Sequence, residues 1–181
     1  MQLHTEQDFS LTILVTVAYF FLFEIWMGNQ IRCKPSTHRF DHRDKTWECA
    51  DRSFSNLVEQ SPAFLVLLWL YAFFVDSHTS GVLGGTYLAF RAFFPLFWAW
   101  GGQWNLFVEF STQPCYLILA FFKYALVYRA WFEKSLIPSM DPSFFVLCGK
   151  AMGGHMLLFV VVFLPFRFLF DIGFRSKSHD A

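Results

Sequence analysis

The chain has 181 residues, 55% of them hydrophobic and 22% aromatic, with 26 Phe and 7 Trp but only 15% charged. A soluble domain of this size needs more polar surface to cover its core, so the composition argues against a water-soluble globule and for several membrane spans. The formal net charge is zero, and the sequence shows no basic, aromatic-lined groove, which argues against nucleic acid as a partner.

The first apolar stretch covers residues 9–27, "FSLTILVTVAYFFLFEIWM". It is long enough to cross a bilayer as a helix, with Glu24 near its end. The "MQLHTEQD" before it is acidic and no small-residue cleavage site follows, so a cleavable signal is not expected. A polar connector over 28–51 carries Arg32, Lys34, Arg39, Arg43 and Lys45. The second and third stretches, 57–75 and 81–100, are separated only by "DSHTS", short enough to make them antiparallel neighbours. A fourth run covers 114–132, and a fifth, 143–170, is interrupted by "GKAMGGH" and Pro165.

The positive-inside bias places the long connector in the cytosol and the N-terminus, with Glu6 and Asp8, on the luminal or extracellular side. If the fifth run crosses, the tail with Arg175 and Lys177 returns to the cytosol; if it lies at the interface, the tail stays luminal. Cys33, Cys49, Cys115 and Cys148 make no disulfide framework. With no internal repeat or soluble domain, the expectation is one all-α membrane domain.

Polar residues inside apolar spans are the candidates for function. In "RSFSNLVEQSP", residues 52–62, Arg52, Asn56 and Glu59 fall at i, i+4 and i+7, one helical face at about 100° per residue. A charge at mid-membrane costs about 2.5–3.5 kcal/mol, so this stripe should face protein, a polar cavity, or both. Spacing leaves two readings open. The stripe is either interhelical packing or a ligand site whose guanidinium takes a carboxylate and whose carboxylate takes an ammonium, as an amino acid or peptide requires.

On the third span, Tyr87, Arg91, Phe94 and Trp98 also share a face. Arg91 needs a partner, for which Glu59 is the candidate, while Phe94 and Trp98 fit ordinary packing. Pro95 should kink this span or free a carbonyl.

Other constellations carry less. Cys33, His38, His42 and Cys49 hold four donor types for zinc, but not in the usual paired Cys spacing, and no metal site is expected. Lys123 and Arg129 lie on different faces, and His155 beside two glycines suits close helix packing. No phosphate-binding glycine loop, nucleophile elbow or HExxH motif is present.

The segment "RSFSNLVEQSPAFLVLLWLYA", an Arg-x3-Asn-x2-Glu-x2-Pro pattern, resembles the MAPEG proteins, the membrane-associated proteins of eicosanoid and glutathione metabolism. "GGTYLAFRAFF" is similar to that family's Tyr-x3-Arg-x2-aromatic pattern, and "STQPCY" looks like the opening of the fourth span in its lipoxygenase-activating branch. The resemblance covers about residues 8–132 and implies a MAPEG-like four-helix domain at 1–134. Residues 135–181 would form an extension holding the additional apolar helix.

The resemblance further implies a homotrimer in the endoplasmic reticulum or another intracellular membrane, with glutathione as co-substrate between protomers. Arg32, Arg52, Asn56, Glu59, Tyr87 and Arg91 would contact glutathione. Arg91 would serve as the catalytic charge, and Phe94 and Trp98 would line a pocket for a hydrophobic, lipid-like substrate. The implied activity is glutathione transferase or peroxidase. The pattern departs at Phe94 and Trp98, where enzymatic members commonly carry tyrosines, at "QWN" (103–105), where some carry an arginine, and at Gln60, which replaces an aromatic. These departures keep open a non-catalytic lipid-binding or scaffolding protein like the lipoxygenase-activating protein. A small transporter is a more distant alternative.

Overall fold

The computed structural model describes residues 8–34, 45–101 and 105–137, with Val146, Gly153, Leu157 and Val161 singly beyond them. The chain divides into two compact units, Met1–Ile137 and Pro138–Ala181. The fifth apolar run, with His155 and Cys148, belongs to the second unit and, but for those single positions, lies outside the described residues.

Among the described residues the first unit is all-α, as the apolar stretches predict: α1 (Ser10–Cys33), α2 (Lys45–Phe74), α3 (Ser77–Ala92), α4 (Phe94–Gly101) and α5 (Leu106–Phe132). Among the described residues four segments are long and apolar enough to cross a membrane, α3 and α4 together making one of them. α1 packs on α2 and α3, and α5 packs on α2, α3 and α4; α1 and α5 do not touch. The inward seam of α2 runs through Ser53, Leu57, Gln60, Phe64, Leu68 and Tyr71, three or four residues apart. Its outer positions are apolar too: Val66, Leu70 and Phe73 are exposed, as are Ile13, Leu14, Val17 and Phe20 on α1. A bundle as apolar outside as inside is suited to lipid rather than water.

Small and hydroxylated residues bring α3 close to its neighbours. The Thr12 hydroxyl donates to the Ser77 carbonyl at 3.1 Å and the Ser80 hydroxyl to the Leu68 carbonyl at 2.7 Å. A Cβ added to Gly81 would sit 2.4 Å from Leu11 Cγ and 2.8 Å from Leu11 Cβ. Because the clash reaches the root of the Leu11 side chain, rotamer adjustment cannot relieve it and α1 must move. Gly81→Ala should therefore lower stability by about 1–3 kcal/mol despite alanine's better helix propensity, read as a lower Tm in detergent.

The element ends differ from the hydropathy reading. α1 continues through the polar residues to Cys33, and α2 begins at Lys45 rather than near 57. With 30 residues, α2 is about 45 Å long, against about 30 Å of hydrocarbon, so its polar N-terminal turns can stand among headgroups and water. Gln30 Nε2 donates to Asp51 Oδ1 at 2.7 Å, tying the polar ends of α1 and α2 together.

α5 begins at Leu106, capped by Asn105 Oδ1, which accepts from Phe107 N at 2.9 Å and Val108 N at 3.0 Å. Pro114 thus lies inside α5 and does not open it. One turn earlier, the Ser111 and Thr112 hydroxyls both donate to the Val108 carbonyl at 2.8 Å, the kind of local support that lets a membrane helix tolerate proline. Pro95 does break its span: α3 stops at Ala92 and α4 starts at Phe94. The Pro95 carbonyl accepts from Cys49 Sγ at 3.6 Å.

Candidate functional site

Polar residues of α2 and α3 meet in the centre of the bundle. The two helices are antiparallel neighbours, so one turn forward along α2 matches one turn back along α3. Asn56 therefore faces Arg91, and Gln60 faces Tyr87. Tyr87 Oη donates to Gln60 Oε1 at 2.9 Å, and Gln60 Nε2 donates to Asn56 Oδ1 at 3.2 Å. Arg91 Nη2 donates to the Asn56 backbone carbonyl at 2.7 Å and also to Asn56 Oδ1. A carbonyl oxygen has a second lone pair, so the helix bond of Asn56 is no obstacle to the first of these.

Arg91 is 0% exposed, yet its Nε and Nη1 have no hydrogen-bond partner. The Phe94 ring centroid lies 5.1 Å from the guanidinium carbon, within cation–π range, and Phe94 stacks on Trp98 with centroids 6.0 Å apart. On the other side Phe64 stacks on Tyr87 at 4.0 Å, which fixes the phenol plane. Cys115 of α5 closes the floor, its Sγ 3.6 Å from the Tyr87 carbonyl. The result is a buried cation with a neutral hydrogen-bond chain on one side, aromatic rings beside it, and N–H groups that lack acceptors. The acceptor that would best satisfy these N–H groups is an anion.

The residues singled out from sequence fall into three groups. Asn56, Tyr87, Arg91 and Phe94 come together, with Trp98 stacked outside Phe94. Arg52 and Glu59 are exposed on the outer side of α2, while Asn56 is half-buried. Arg32 is exposed at the end of α1, where it donates to Asn29 Oδ1 at 3.0 Å. The expected pairing of Arg91 with Glu59 is not made. Asn56 holds Arg91 instead, because Gln60 and not Glu59 occupies the inward seam, and consecutive residues point about 100° apart. Glu24 is exposed and makes no ion pair with Arg52.

Gln60 is the member that charge-based reading overlooked, although its i+4 spacing from Asn56 was visible in the motif. His38 and His42 lie outside the described residues, and among those described no three His, Cys, Asp or Glu gather as metal ligands. A shallow groove of about 610 Å³ between α1 and α3, lined by residues such as Leu14, Ala18, Gly85 and Leu88, is wholly apolar and offers no group for chemistry.

Comparison with known proteins adds one match. Residues 9–126, which include α1 to α4 and most of α5, match the sequence model of the MAPEG family. No curated protein and no solved structure matches the chain.

Proposed function

The chain belongs to the MAPEG family, whose members are membrane proteins of eicosanoid and glutathione metabolism, and from that premise we propose that it binds glutathione beside Arg91 and presents the thiol to a hydrophobic electrophile or hydroperoxide. The observation that carries this reading is the fully buried Arg91 with Nε and Nη1 unclaimed. Buried ionised groups are costly unless paired, and an anionic ligand would supply the missing acceptors. In this reading Asn56 adds a further polar contact and Tyr87 supports the chain behind it. Arg52 and Glu59, exposed on α2, take the carboxylate and ammonium of the γ-glutamyl end once a neighbouring copy covers them. Arg91 takes the glycyl carboxylate, which leaves its charge close to the cysteine thiol one residue away. The functional unit is then a homotrimer with glutathione between protomers, and Arg32 reaches the site from the end of α1.

The chemistry follows from a cation beside a thiol, which favours the thiolate. The proton passes to water, and the sulfur attacks the electrophilic carbon while the leaving group departs with its electron pair. With a hydroperoxide, sulfur attacks the distal oxygen, releasing an alcohol and leaving a sulfenic acid that a second glutathione converts to disulfide and water. Residues 1–134 carry this activity in the endoplasmic reticulum or another intracellular membrane, with the connector after α1 in the cytosol and 135–181 as an extension.

A specific observation favours the non-catalytic alternative. Phe94 and Trp98 stack beside Arg91 and bring no hydroxyl to the thiol. Thermal unfolding of the purified protein with and without glutathione, followed by conjugation of a chlorinated nitroaromatic, separates the two. Stabilisation of several degrees together with turnover is the expected result. Stabilisation without turnover on either the nitroaromatic or a lipid hydroperoxide would leave a lipid-binding or scaffolding protein, and a well-folded sample showing neither would remove the glutathione reading.

A further inference from the structure

An asparagine side chain has two ends of nearly equal shape and opposite hydrogen-bonding character. Turned one way, Asn56 offers Arg91 an acceptor; turned the other, it opposes the guanidinium with two more donors. Resting on the glutathione reading, we propose that Gln60 is the positioning residue that fixes this choice and thereby makes the site specific for a carboxylate.

The polarity of the chain runs in one direction. Tyr87, 0% exposed, has one hydroxyl hydrogen and gives it to Gln60 Oε1 at 2.9 Å. With its oxygen engaged, Gln60 can present only Nε2 to Asn56, and it donates to Asn56 Oδ1 at 3.2 Å. Asn56 Oδ1 then lies between two donors, Gln60 Nε2 and Arg91 Nη2. Arg91 Nε and Nη1, both buried, have no acceptor among the described residues. The buried polar atoms left unpartnered at this point are therefore all N–H groups. A carboxylate, which only accepts, meets all of them; an ester accepts more weakly and carries no charge. Gln60 itself is buried in the α2 seam and need not touch the ligand.

The test uses the full chain in detergent and titrates glutathione and glutathione diethyl ester by thermal stabilisation. Gln60→Met keeps the side-chain length and removes both hydrogen bonds. We expect it to shrink the preference for glutathione over the diester by about tenfold, chiefly through weaker glutathione binding. The single variant also orphans the Tyr87 hydroxyl, so Gln60→Met with Tyr87→Phe is measured beside it. This pair should regain stability without regaining the preference, a split that a merely structural role would not produce.

A second readout does not depend on the ligand. The Arg91 Nε–H nitrogen resonance, assigned by its loss in Arg91→Met, should shift or broaden in Gln60→Met as the Asn56 amide becomes free to turn. An unchanged glutathione-to-diester ratio, or an unchanged Arg91 resonance, overturns the positioning role. If the parent chain binds no glutathione, the functional reading falls, and the Arg91 resonance alone then upholds or overturns the role of Gln60.

Discussion

Replacing Arg91 with methionine should abolish the response to glutathione while leaving the unliganded protein as stable as its parent, or more so. The two effects have separate causes. In the unliganded chain the guanidinium is fully buried and is held only through Nη2, by the two oxygens of Asn56. Two of its nitrogens are unsatisfied. Exchanging a buried, poorly compensated charge for an apolar side chain is often neutral or stabilising by about 1–4 kcal/mol. Methionine leaves little behind to penalise, because Asn56 Oδ1 still accepts from Gln60 Nε2. It can also pack its sulfur against the Phe94 ring that now faces the guanidinium.

In the liganded state the same change removes the cation that the carboxylate was brought in to meet. Truncating one side of a buried, hydrogen-bonded charge pair costs about 2–5 kcal/mol, which is roughly thirtyfold to several thousandfold in affinity. Thermal unfolding with a glutathione titration measures both quantities in one series. Arg91→Lys belongs in that series: it restores charge but not the planar donor set, so it should recover only part of the affinity. A strongly destabilised Arg91→Met protein that still responded to glutathione would make Arg91 a structural residue and move the ligand elsewhere.

Much of this site could be read from periodicity. Tyr87, Arg91 and Phe94 share a face in the sequence and meet in the bundle, and "DSHTS" is short enough to make α2 and α3 neighbours. The partner of Arg91 was not legible, because opposite charge points to Glu59 while register decides the matter. Helical rotation carries Glu59 to the outside and Gln60 to the inside, and antiparallel packing puts Asn56 opposite Arg91.

The ends of the spans were obscured for a related reason. Hydropathy reports where lipid begins, not where a helix ends, so α1 could extend to Cys33 and α2 start at Lys45 without any apolar signal. Proline was informative at one place and misleading at another. Pro95 splits its span into α3 and α4, whereas Pro114 is accommodated within α5 one turn after two hydroxyls that bond back to Val108.

The second large effect is expected at Glu59. In the single protomer Glu59 is exposed and makes no hydrogen bond or ion pair with any described residue. Glu59→Gln preserves its size and should leave the Tm of the unliganded protein within about 0.5 kcal/mol of the parent, the usual range for an exposed change. If the carboxylate receives the ammonium of glutathione, losing its charge removes a charge-assisted hydrogen bond of about 1.5–3 kcal/mol, so affinity falls about tenfold to a hundredfold. The loss should be largely independent of salt, because a pair in contact and covered by a neighbouring copy is poorly screened, unlike one open to solvent.

Affinity alone does not separate this from packing, since Glu59 could equally hold two copies together. Mass by size exclusion with light scattering in the same detergent makes the distinction. Intact oligomer with weakened glutathione binding assigns the carboxylate to the ligand. A smaller species, with the remaining oligomer still binding glutathione at parental strength, assigns it to the contact between copies. Arg52→Gln provides the matching test of sign. It exposes the opposite charge on the same outer edge of α2, so its loss should weaken glutathione and spare the diester, whereas Glu59→Gln should weaken both, because esterification leaves the ammonium in place.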